Sequence, residues 1–202
     1  MGKKCIFLFF VCAFICIATQ AFAAVYSFTP TRADIYDLDH YRYYTWGINF
    51  APPEGETILS ASLAIDNINN WQPEANDRLY IHLFDNVQSG LTAYWDGQLG
   101  GDNFQYWTQE NILLDVYTDL HDAPGPAEDY SYEFTQSDLA YLTQYAGNDG
   151  RIGFGFDADC HYWNDGVTFT VETETIPVPE PASVLLFGMS LIGMFGMKRR
   201  TK

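Results

Sequence analysis

The stretch FGFDADCHYWNDG, Phe154 to Gly166, gathers more chemically capable side chains than any other part of the chain. Asp157, Asp159 and Asp165 offer hard carboxylate oxygens of the kind calcium takes, and Asp34, Asp37 and Asp39 offer three more from the other end of the sequence. These six residues are the candidate calcium ligands. Neither cluster has the EF-hand order of Asp, Gly and a closing Glu, and solvated acidic loops are the ordinary outcome in so acidic a chain. Cys160 and His161 are soft-metal ligands, but one adjacent pair lacks the spaced second pair that structural zinc requires, and His40, His82 and His121 are scattered. Cys160 is therefore expected to pack at the end of the fold.

Five tryptophans and fourteen tyrosines make the chain rich in aromatic rings. Trp46 alternates onto an apolar face and belongs to a core. Trp71, Trp95, Trp107 and Trp163 stand in or beside turn-rich segments, where a flat ring with polar neighbours can stack on a sugar; these four are the carbohydrate candidates. Enzyme signatures are missing: the chain has no G-x-S-x-G elbow, no H-E-x-x-H and no Gly-rich loop opening a helix. With 26 acidic residues some carboxylate pair always has the spacing of a glycosidase, so abundance empties that clue. No catalytic residue is assigned.

These side chains must be positioned by strands. Leu59, Ala61, Leu63 and Ile65 alternate with Ser60, Ser62, Ala64 and Asp66, the period of two of a half-buried strand. The same rhythm runs through Tyr44 to Phe50, Leu79 to Phe84, Tyr130 to Phe134, Ile152 to Phe156 and Val167 to Val171. Between them lie clusters no sheet absorbs: PPEG at 52–55, 67–74, 97–103, APGP at 123–126 and NDG at 148–150. The pattern predicts an all-β fold, an antiparallel sandwich of jelly-roll type. One helix interrupts it from Thr135 to Gly147, capped by Thr135 or Ser137, with Leu139, Leu142 and Tyr145 on one side and Gly147 as its stop.

Both termini read as addresses rather than fold. Lys3 and Lys4, the apolar stretch Cys5 to Ala18 and the small residues Ala21, Ala23 and Ala24 form a secretory signal, with cleavage expected after Ala23 by signal peptidase following Sec-type export. At the other end, Thr173 to Pro181 is extended and Pro-punctuated and should leave the sheet as a linker. The uncharged segment 182–197 is a minimal membrane span, and Lys198, Arg199 and Arg200 stay cytoplasmic by the positive-inside rule. The expected plan is a signal peptide at 1–23, an extracellular domain at 24–174, a linker at 175–181, a membrane helix at 182–197 and a basic end at 198–202.

Setting the ends aside sharpens the charge. From Ala24 to Pro181 four arginines face all 26 acidic residues, a balance of −22 with no lysine. Such a domain repels phosphate backbones and anionic lipid, which excludes nucleic-acid binding and confines membrane contact to the C-terminal helix. Only Cys160 remains after the signal is removed, so no internal disulfide forms.

The tail Val178-Pro179-Glu180-Pro181-Ala182-Ser183, followed by VLLFGMSLIGMFGM and then Lys198-Arg199-Arg200, resembles the PEP-CTERM sorting signal of bacterial surface proteins in all three parts and in their order. The resemblance covers about 25 residues and implies an integral-membrane exosortase that cuts at the motif and passes the protein outward. It implies transient anchoring in the inner membrane, then the cell surface or an exopolysaccharide and biofilm matrix. The leading expectation is a non-catalytic structural or adhesive domain. The alternative is a carbohydrate-binding module, with or without calcium, and the third a small glycoside hydrolase.

Overall fold

Alternation of large apolar and small polar residues forces most of this chain into strands with one face buried, and the strands find two partners. The computed structural model describes residues 23–72, 77–96, 100–121 and 123–176. A compact unit spans Phe22–Thr175; a second unit, Met1–Ala21 with Ile176–Lys202, falls outside the described residues apart from Ile176. The signal-peptide residues up to Phe22, and the sorting tail from Pro177 onward, therefore lie outside them. Among the described residues no helix is long and apolar enough to cross a membrane.

The strands are β1 (Ala23–Phe28), β2 (Arg42–Asn49), β3 (Glu56–Asn70), β4 (Arg78–Phe84), β5 (Gly90–Trp95), β6 (Asn111–Thr118), β7 (Glu128–Glu133), β8 (Arg151–Ala158), β9 (Tyr162–Trp163) and β10 (Gly166–Thr175). One sheet runs β1-β10-β3-β7, with β9 added at the end of β3, and the other runs β5-β2-β8-β4-β6. Every strand pairing is antiparallel. The inner faces interlock in one core: Phe154 on β8 lies 4.9 Å from Phe169 on β10, ring centre to ring centre, and 5.8 Å from Trp46 on β2. Each such ring, fully buried, contributes about 1.5–3 kcal/mol.

All six segments read as strands in the sequence are strands, but two details differ. Leu59 is 43% exposed while Ile58 is buried, because the register between β3 and β10 shifts between Glu172 and Thr173 and reverses the parity of the strand beyond it. The 67–74 turn cluster begins too early: β3 continues to Asn70, with Asn67 at φ 51° taking the irregularity. Nor does the chain leave the sheet at Thr173, which is wholly buried and pairs with Ile58; β10 runs to Thr175.

Helix α1 (Gln136–Asp149) starts where the sequence says, at Thr135. The Thr135 hydroxyl accepts from the Asp138 N–H and the Asp138 carboxylate accepts from the Thr135 N–H, a reciprocal cap. Its end is three residues later than Gly147. Gly150, at φ 75°, takes the left-handed position that closes it.

The outer face of the β5-β2-β8-β4-β6 sheet is also covered. A strap around the 3-10 turn Asn103–Tyr106 lays Phe104 against Phe84 and Val87, with Tyr43 and Trp107 packed beside them. The glycine of β8 at 155 makes room for it: a Cβ there would sit 2.6 Å from the Phe84 ring and 2.7 Å from that of Phe104.

Candidate functional site

Three chain segments meet at one end of the sandwich. The first is the loop after β1, which turns through four consecutive residues with positive φ: Ile35 (46°), Tyr36 (56°), Asp37 (58°) and Leu38 (48°). None is glycine, and each costs roughly 1–2 kcal/mol in this conformation. Ile35 and Leu38 are wholly buried and anchor the turn, while Tyr36 and Asp37 are turned outward. Hydrogen bonds from Val167 N–H to the Ala33 carbonyl (2.8 Å) and from Asn164 Nδ2 to the Asp34 carbonyl (2.9 Å) hold the loop to the neighbouring segment. Strain of this kind collects at functional sites.

The second segment is the end of β3. Trp71 follows Asn70 directly, and its N–H donates to the His161 carbonyl at 3.1 Å. The third is β9, which pairs Trp163 with Asn69 and Tyr162 with Asn70. Trp71 and Trp163, 38% and 55% exposed, therefore stack on one another at 5.9 Å, and the His161 ring packs on Trp71 at 5.1 Å. Tyr41 meets His161 at 5.5 Å and carries Trp95 stacked on its other side at 5.7 Å.

Trp163 stands between two hollows. One, of about 300 Å³, is mostly aromatic, formed by Tyr36, Tyr41, Trp71, His161 and Tyr162 with Asp37 and Asp39. The other, of about 720 Å³, is polar, formed by Asn67, Asn69, Asn164 and Asp165, and shares Asp37 and Trp163 with the first. Partial burial and the adjoining Asp34 push the Asp37 carboxyl above the usual aspartate range. Such a combination of ring faces with a few converging polar groups suits a small organic ligand.

The calcium candidates are dispersed. Asp34 accepts from Arg32 Nε at 2.8 Å and from the Tyr36 N–H; Asp39 accepts from the Tyr41 N–H and lies 3.8 Å from His161 Nε2. Asp165 accepts from Asn67 Nδ2 at 2.7 Å and shares the polar hollow with Asp37. Asp157, on β8, and Asp159, just after it, are buried elsewhere, beneath the strap. Asp157 takes the Asn103 N–H at 2.6 Å and Asp159 the Gly101 N–H at 2.7 Å, while His82 Nε2 lies 3.1 Å from Asp102. Burial raises both carboxyls, that of Asp157 to about 7. Among the described residues no group of three or more His, Cys, Asp or Glu side chains is placed to hold a metal ion. Cys160 is wholly buried beneath the site.

Of the four carbohydrate candidates, Trp71 and Trp163 meet at the hollows and Trp95 extends the aromatic surface through Tyr41. Trp107 does not join them. It is half-buried on the outer face of the other sheet, edge-on to Tyr43, Phe84, Tyr94 and Phe104. Sequence reasoning missed Tyr36, Tyr41 and Asn164. The run IYDLDHY at 35–41, two tyrosines around two aspartates, was the available signal.

No curated protein matches the chain. Among solved structures, a chain of the tomato aspermy virus crystal structure aligns over 90% of this chain and 98% of its own, at 11% identity and a TM-score of 0.32, a likeness too slight to carry an argument. The C-terminal segment is another matter: residues 177–200 match the family model of the PEP-CTERM protein-sorting motif, and the chain thus carries the signal by which exosortases recognise exported proteins.

Proposed function

We propose that this is a non-catalytic, exported surface or matrix protein whose domain binds extracellular polysaccharide through the aromatic end described above. The observation that carries the reading is the Trp71–Trp163 pair: two large rings stacked on each other, more than a third exposed, at the edge of the two hollows. Exposed aromatic surface costs solubility and is retained where it meets a partner. The flat apolar face of an indole matches the C–H face of a pyranose, and Asn69, Asn164 and the aspartates stand ready for hydroxyls.

Processing fits the same picture. The sorting motif supports export through the signal peptide, transient anchoring by the helix at 182–197, and cutting by an exosortase at the Pro-Glu-Pro motif. The strand orders β1-β10-β3-β7 and β2-β8-β4-β6, with successive strands changing sheet everywhere except at the β4-β6 pair once β5 and β9 are set aside, support a jelly roll for the domain. That fold serves many tasks and does not itself argue for sugar binding.

The test is retention of the exported protein on the producing cell's own polysaccharide. Wild-type protein and a Tyr106→Ala variant, altered on the strap at a residue that lines neither hollow, should be retained alike. Trp163→Ala should lose at least about tenfold in affinity, since an exposed aromatic contact contributes on the order of 1–2 kcal/mol. Wild-type protein that passes unretained would end the reading.

A further inference from the structure

We infer that the glycan this site takes is one carrying free amino groups, such as a deacetylated amino-sugar polymer, and that polyuronates are refused. The inference rests on the glycan-binding reading and adds the ligand's charge to it. Three carboxylates, Asp37, Asp39 and Asp165, line the two hollows, and neither lining contains a Lys or Arg. One guanidinium beside the aromatic hollow is already engaged: Arg32 is bonded to Asp34 at 2.8 Å and lies 4.2 Å over the Tyr36 ring.

Hydrogen-bonding capacity points the same way. The Asn164 side chain is 7% exposed and its Nδ2 donates to the Asp34 carbonyl, which fixes the amide's orientation and leaves Oδ1 facing the other way. That oxygen is buried and has no donor among the described residues. A buried acceptor without a donor is destabilising, and a ligand N–H or O–H would relieve it. A lining with surplus acceptors and only negative charge selects a ligand that brings donors and positive charge. An ammonium brings three donors and a matching charge; a uronate brings a like charge and must shed its water against three carboxylates.

Other occupants fit less well. For an ion, the described residues place no group of three or more His, Cys, Asp or Glu side chains together. A proline-rich peptide can dock on aromatic grooves, but this chain's own such segment carries Glu180 and follows Thr175, at the far end of β10 from the site.

Calorimetric titration of the exported protein with three hexasaccharides of equal length decides it: β-linked glucosamine below the pKa of its amines, neutral β-linked glucose, and a hexuronic acid. The amino hexamer should bind about tenfold or more tighter than the neutral one, as one added charge pair near a surface permits, and the uronate should give no binding. Trp163→Ala should weaken the amino hexamer at least about tenfold. Asp37→Asn combined with Asp39→Asn should cut its advantage over the neutral hexamer to below about threefold. Uronate binding as tight as the others would overturn the charge assignment while leaving the glycan reading intact. If no hexamer binds, the glycan reading fails and the inference with it. Amino-hexamer binding untouched by Trp163→Ala would make it diffuse attraction to an acidic surface. Tighter binding of a peptide spanning residues 174–183, or of calcium in a manner lost on Asp165→Asn, would assign the hollows to that occupant instead.

Discussion

Replacing Asp157 with asparagine should stabilise the domain at pH 8 and make it slightly less stable at pH 4. The Asp157 side chain lies on the outer face of β8, 1% exposed beneath the strap. Burial is the main reason its pKa rises from 3.8 to about 7; hydrogen bonds from Asn103 resist the rise, and Asp96 and Asp159 add to it. In the unfolded chain the same carboxyl titrates near its ordinary value. Between pH 4 and pH 7 the folded state therefore holds a proton that the unfolded state has released, so stability falls as pH rises through this window. The folded domain is fully relieved of the penalty below about pH 4 and carries all of it above about pH 7. A gap of about three pH units, at about 1.4 kcal/mol each, sets the penalty on the order of 4 kcal/mol.

The substituted amide would keep an oxygen for the Asn103 N–H, bonded to Asp157 at 2.6 Å, and lose the longer contact with Asn103 Nδ2 at 3.4 Å. Subtracting about 1 kcal/mol for that loss leaves a gain of about 3 kcal/mol at pH 8. For a domain of this size the gain is a rise in Tm of about 6–12 °C. The assay is urea unfolding of wild type and Asp157→Asn at pH 4, 6 and 8, reading the difference between the two proteins so that other titrating groups cancel. A difference that does not change with pH, or a variant less stable than wild type at pH 8, would show that the carboxylate is not strained beneath the strap.

Two further outcomes are expected. Thr135→Ala should cost about 1 kcal/mol by removing one side of the helix cap, and Thr135→Ser should restore it; thermal melting of both variants checks this, with an unchanged Thr135→Ala midpoint counting against the cap. Mass spectrometry of the mature protein from a producing cell should find no peptide from 184–202, whereas intact tail peptides on purified surface protein would reduce the sorting motif to an anchor.

The parts of the fold that were legible in the sequence are those where neighbouring residues decide. Ala61, Leu63 and Ile65 announce their strand because alternation is local, and Thr135 with Asp138 announces the helix start because a cap spans four residues. Leu59 departs from the local alternation because a bulge is fixed by the partner strand. Gly147 reads as a stop since any glycine near a helix end can be one; only the left-handed backbone at Gly150 identifies the real one. Strand β5, GLTAYW, hides its period because its residues are all half-buried or exposed. The same division runs through the site. Trp71 and Trp163 could be picked out as aromatics in polar surroundings, but Trp107 looks identical in sequence. Its partners Tyr43, Phe84 and Tyr94 are distant along the chain, so its role in the strap is a property of the fold. Asp157 and Asp159 looked like open ligands for the same reason: the backbone amides that occupy them belong to Gly101 and Asn103.

The positions of the two ends bear on how the site is used. Ala23 pairs with Glu174, so the domain's first strand begins beside the place where its last one ends. The aromatic end lies at the opposite pole, where Trp163 pairs with Asn69 just before β10 begins at Gly166. The ten residues of β10 put about 30 Å between the poles, at about 3.3 Å of rise per residue. Thr175, the last residue of β10, thus stands at the pole opposite the hollows. Protein fixed to a sensor by a biotin placed at its C-terminal side should bind polysaccharide fully, while protein fixed through Gln72→Cys, next to Trp71, should bind little. Equal binding in both orientations would mean that the contact surface is not at the Trp163 pole, and the aromatic pair would then need another explanation.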